Sequence, residues 1–66
     1  MNGAARIEYN EQRIIARIAS QNETNAWIDA LDEPGDPRRN PWYRNAAVIA
    51  GVQNRLADVL ARRLGL

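Results

Sequence analysis

A reacting site needs a nucleophile, a base or a metal ligand, and this chain of 66 residues holds few of any. It has no His, no Cys and no Lys, one serine at Ser20 and one threonine at Thr24. A hydroxyl without a base beside it is a weak nucleophile, so the usual nucleophile-base pairs cannot be assembled. Glu8, Glu11 and Glu23 lie on a helical stretch with no evident concave partner, and their spacing pairs none of them as acid and base. Asp32, Glu33 and Asp36 could face a hard cation, but they lack the spacing and central glycine of a calcium loop. The residues therefore predict no catalytic site, no metal and no cofactor.

Recognition chemistry remains. The stretch RRNPWYR, Arg38 to Arg44, brings together Arg, Trp and Tyr, the side chains most enriched at binding hot spots. Arg38, Arg39, Tyr43 and Arg44 are thus the candidate partner-contacting residues. The favoured place for Trp42 is the core, against Trp27, with Tyr43 beside it. Arg6, Arg13 and Arg17 form one stripe, and Arg44, Arg55 and Arg62 another, where Asp58 can pair with Arg62 four residues on. Either stripe could meet phosphates. However, nine basic against eight acidic residues leave a net charge of only +1, and no helix-turn-helix spacing is visible. Another protein is the preferred partner, with nucleic acid as the rival.

The elements that must carry these residues are helices. Pro41 to Leu64 reads as one amphipathic helix, with Asn40 as N-cap, Pro41 as first residue, Arg62 and Arg63 in the last turn, and Gly65 as its left-handed stop. Trp42, Ala46, Ile49, Gln53, Leu56, Leu60 and Leu64 recur at steps of three and four and share a face. Gln53 falls in the middle of that face, where it either fixes register as a seam residue or lies solvated at the edge. Val48, Val52 and Val59 widen the apolar arc on one side, and Ala50, Ala57 and Ala61 on the other.

From about Ala4 to Asp32 there is no Gly or Pro, so one long helix is allowed, with Asn2 as a candidate N-cap. Ile7, Ile14 and Ile18 share a face, with Ile15 at its edge. Trp27, Ile28 and Leu31 fall elsewhere, beyond the polar stretch Ser20 to Asn25. Either the helix breaks near Ser20, whose spacing to Glu23 fits a capping box, or it is continuous and uses its two ends differently. The continuous helix is favoured, because no Gly or Pro enforces a stop. Trp27, Ile28 and Leu31 are then expected to pack on the second helix.

Between the helices, residues 33–40 contain Pro34-Gly35 and Asp36-Pro37 and read as a polar connection. The expected fold is all-α, a single domain over 1–66 with helices at about 4–32 and 41–64. It forms a two-helix antiparallel hairpin. A chain this short buries only about 60% of its unfolded surface, and disulfides and transition metals are unavailable to it. The surplus apolar arc points instead to a homodimer closing into a four-helix bundle around Ile7, Ile14, Ile18, Trp27, Ile28, Leu31, Trp42, Ala46, Ile49, Gln53, Leu56 and Leu60. No apolar run is long enough to span a membrane or to act as a secretory signal, so no membrane partner is expected and a cytosolic location is the default expectation.

Trp27 to Leu31, a polar loop, WYRNA at Trp42 to Ala46 and LADVLA at Leu56 to Ala61 together resemble small phage-encoded helical proteins of the quorum-sensing anti-activator type. The resemblance covers about the last 45 residues and implies a dimerising helical hairpin that inactivates a host regulator by direct contact. It transfers no individual contact residue. The expected function is a small non-enzymatic protein-binding module, an inhibitor or adaptor. A nucleic-acid-binding module and a structural subunit of a larger assembly are the alternatives.

Overall fold

The computed structural model describes residues 3–66, so the N-cap expected at Asn2 lies outside the described residues. Helix α1 runs Gly3–Leu31 without interruption, and α2 runs Pro41–Arg63. A single 3₁₀ turn, Pro37–Arg39, stands between them, and no strand occurs among the described residues. The two helices pack antiparallel into a rod with extents of 52 × 14 × 14 Å.

Local rules explain the ends. Asn40 sits in extended conformation, and its side-chain oxygen accepts from the backbone N–H groups of Trp42 at 3.0 Å and Tyr43 at 3.2 Å. Two otherwise unpaired donors of α2 are thereby satisfied, with Pro41 at the position where its missing N–H costs nothing. At the other end, the Leu66 N–H reaches the Ala61 carbonyl at 2.8 Å and the Gly65 N–H reaches that of Arg62 at 3.0 Å. Gly65 has φ +77, and this pair of bonds is the Schellman stop. In the connection, Gly35 at φ +98 turns the chain, and the Asp36 side chain then caps the 3₁₀ turn by accepting from the Arg38 N–H at 3.0 Å.

The polar stretch of α1 does not break it. Ser20 lies within the helix, and the Thr24 hydroxyl donates back to the Ser20 carbonyl at 3.1 Å instead of serving a cap.

Packing between the helices follows a heptad repeat of small residues. On α1 the inward positions are Ala5, Tyr9, Gln12, Ala16, Ala19, Glu23, Ala26 and Ala30, and all are buried or half-buried. On α2 they are Tyr43, Ala46, Ala47, Ala50, Ala57, Leu60, Ala61 and Leu64, with Gln53 at the margin. Successive steps of three and four keep one seam against the partner helix, and small side chains set a short interaxial distance. Among the described residues, the buried ones are all alanine: Ala16, Ala19, Ala30 and Ala50.

Two expectations are corrected by this seam. Ile28 and Leu31 do not pack on the second helix but stand 54% and 56% exposed. Ile28 lies two heptads from Ile14 and so falls on the outward line of Ile7 and Ile14, about 180° from the seam. Trp42 does not meet Trp27; it is 80% exposed, and Tyr43 takes its place with ring centroids 5.0 Å apart at 62°. Tyr43 is one heptad before Ala50, whereas Trp42 is one residue out of phase.

Candidate interaction surface

Because alanines occupy the seam, the large apolar side chains are left on the outside, and they are not scattered. On α2, Trp42, Ile49 and Leu56 recur at intervals of seven, so they form one row beside the seam. Val52 and Val59 lie next to that row. Ile15 and Ile18 of α1 meet its upper part across a shallow groove of about 420 Å³, floored by Ala19, Ala26 and Ala46 and bordered by Asn22, Asn45 and Gln53. The outward line of Ile7, Ile14 and Ile28 continues behind it on α1. This flank gathers most of the exposed large apolar residues of the chain.

Polar rungs pin the two helices on either side of the seam. The Gln12 side-chain amide donates to the Gln53 carbonyl at 3.0 Å and to its side-chain oxygen at 2.8 Å. Gln53 is half-buried, so the polar residue in the apolar face joins the two helices of one chain. On the opposite side, the Asn54 amide donates to the Ser20 hydroxyl at 3.1 Å and to the Ala50 carbonyl at 2.8 Å. A slip of one residue would separate both pairs, so they fix the register of the hairpin.

The second flank is polar. Arg13 and Arg17 of α1 border the same shallow surface as Asn54 and Asp58 of α2. By the heptad repeat Arg6 joins the first pair, and Arg55 and Arg62 follow on the outer side of α2. The Arg13 guanidinium also lies 5.6 Å from the centre of the Tyr9 ring. The arginine stripes of both helices thus come to one side, with Asp58 as the acidic residue among them.

At the turn, the candidate contact residues separate. Arg38 is drawn back onto Asp36, with Nε 3.2 Å and Nη2 3.3 Å from its carboxylate oxygens, the one ion pair among the described residues. These bonds, with the backbone N–H of Arg38, hold the Asp36 carboxyl below its ordinary value. Tyr43 is half-buried and used against Trp27, while Arg39 and Arg44 are exposed. No group of metal-ligating side chains occurs among the described residues. No helix of the described residues is long and apolar enough to cross a membrane.

Compared with known proteins, the chain matches no family model, no curated protein and no solved structure.

The sequence groups Trp42, Ile49 and Leu56 on one face of α2 with Val52 and Val59 beside them, but it does not bring Ile15 and Ile18 of α1 to the same side. It also places Ala50, Ala57 and Ala61 at the border of the apolar arc and not at the centre of a seam within the hairpin. The signal was present: alanines at 5, 16, 19, 26 and 30 and at 46, 47, 50, 57 and 61 keep heptad phase over the whole length of both helices.

Proposed function

We propose that this chain is a small non-enzymatic protein-interaction module that works by laying its apolar flank against a helical partner. One observation carries the reading. The buried residues are alanines, while Trp42, Ile49, Leu56 and their neighbours form a row in solvent. Contiguous apolar surface of this kind marks an interface. A second helical hairpin laid on the flank makes a four-helix bundle, the architecture that covers both helices at once. Inhibition or bridging of another protein by direct contact, as in the anti-activator type, suits a chain with this surface and no reactive groups. The exposed Arg39 and Arg44 lie near the turn and outside the flank, where they add directional polar contacts.

The test uses three baits in a lysate of the host cell: wild type, Ile49→Asp/Leu56→Asp, and Arg38→Ala/Arg39→Ala. Partners retained by wild type and by the turn variant but lost by the flank variant are expected. Equal recovery by all three overturns the reading.

The collected arginines favour a second reading, binding to nucleic acid through the polar flank. Such binding would fall steeply with salt, because each neutralised phosphate releases counterions. A lack of binding to duplex DNA and RNA at about 50 mM salt removes it.

A further inference from the structure

The apolar flank needs an occupant, and we infer that it is a second copy of this chain, packed antiparallel so that each hairpin's turn lies beside the open end of the other. The inference rests on the reading of that flank as a protein-binding surface.

Area argues for a second copy. The isolated chain exposes 5266 Å². A compact monomer of 7.4 kDa is expected to expose about 4,200 Å². The excess of about 1,000 Å² matches the roughly 800 Å² that each partner buries in a standard interface. The shape agrees, since the radius of gyration is 14.8 Å against about 11 Å for a compact chain of this length. A two-fold interface is self-complementary, so one apolar flank is enough to make it.

Charge argues for the direction. Cut across its middle, level with Ile18 and Val52, the rod is polarised along its length. The open half carries Arg6, Arg13, Arg17, Arg55, Arg62 and Arg63 against Glu8, Glu11 and Asp58. The turn half carries Glu23, Asp29, Asp32, Glu33 and Asp36 against Arg38, Arg39 and Arg44. A net positive end therefore stands opposite a net negative one. Two hairpins laid flank to flank can point the same way, which sets like ends together, or opposite ways, which sets unlike ends together. The second is favoured by this net polarity along the rods, since the arginines themselves stay on the outer flank. In that arrangement the two-fold axis runs across the rods, so α2 lies on its symmetry mate and the row Trp42, Ile49, Leu56 crosses its own copy. The arginine flanks remain outside on both hairpins.

Sedimentation equilibrium at micromolar concentration is expected to give twice the 7.4 kDa chain mass. The Ile49→Asp/Leu56→Asp variant is expected to give the single mass. Because a hairpin without its partner can unfold, the milder Trp42→Ala is measured beside it, with a dissociation constant raised about tenfold or more. The direction is read on Pro34→Cys, a unique thiol in a chain without cysteine, carrying a spin label. The antiparallel dimer sets the two labels about 40–50 Å apart, from a rise of 1.5 Å per residue, and the parallel one sets them within about 20 Å.

A wild-type monomer overturns the second copy, and the flank is then judged by the bait experiment alone. A dimer untouched by the flank variants overturns the flank reading and this inference together. A dimer that needs the flank but holds its labels close overturns the antiparallel direction.

Discussion

The two sides of each helix follow opposite rules. The inward seam is built mainly of alanine, with Tyr9, Tyr43, Leu60 and Leu64 and a few polar rungs, and it is closed; the outward flank is built of Trp, Ile, Leu and Val, and it is open. In an ordinary small domain the large residues would be inside and the alanines near the rim. The inversion separates two tasks. Alanine brings the helices close and fixes their register, but it removes little apolar area from water, so the seam specifies the hairpin better than it stabilises it. The large residues hold most of the available hydrophobic free energy, and it is released only when something covers them.

Substitutions of matched chemistry at the two sides should break or sharpen this contrast. The largest effect is expected at Ala50, which is 1% exposed: Ala50→Leu overfills the seam and should cost about 3 kcal/mol in urea unfolding. If that variant is more stable than wild type, the seam is not close-packed and the contrast fails. Next come the two tryptophans. Removing the half-buried Trp27 ring from its edge contact with Tyr43 should cost about 2 kcal/mol of hairpin stability. Trp42→Ala should leave the unfolding of a dissociated hairpin within about 0.5 kcal/mol, since its ring touches little inside the chain. Equal losses from the two, measured at a concentration that keeps the chain monomeric, would erase the distinction between seam and flank.

Smaller is the effect of Gln12→Leu, which leaves half-buried Gln53 groups without their partner and should cost about 1 kcal/mol. The double variant Gln12→Leu/Gln53→Leu should recover most of that loss while loosening register, visible as broadened amide resonances. A double variant as destabilised as the single one would show that the rung is not a pair.

Least of all is the pH response of the turn. Asp36 has its folded pKa lowered by Arg38, so its contribution is present above the ordinary carboxylate range and is lost as pH falls through the lowered value. The group lies at the surface, so the change should be a slight fraying of Pro37–Arg39 on acidification, seen in the Arg38 amide shift. Asp36→Asn, which keeps the backbone cap but not the charge, should flatten that shift.

Much of the hairpin was legible in the sequence because it is set by neighbours a few residues apart. Asn40, Pro41 and Gly65 act through local backbone groups, and the absence of Gly and Pro from Ala4 to Asp32 left α1 free to continue. The seam was not legible from large apolar residues, because periodicity rules assume that such residues mark the inside. Ile28 followed Ile14 by two heptads, yet it was grouped with its chain neighbour Trp27, which lies nearer the seam. Likewise Trp42 and Tyr43 are equivalent in a reading of residue types, and only the phase of Ala50 and Ala57 tells them apart. The flank was legible as surplus and not as a single side, since that side exists only once two helices are set in register.

The contact between Trp27 and Tyr43 also bears on how the chain finds this register. The two rings are sixteen positions apart and lie next to the turn, so joining them closes one of the shortest loops available to any pair across the hairpin. Once they meet, each further heptad toward the open end is brought together by the one before it, and no long search is required. Folding should thus run as a zipper from the turn to the termini, with the indole of Trp27 reporting its first step.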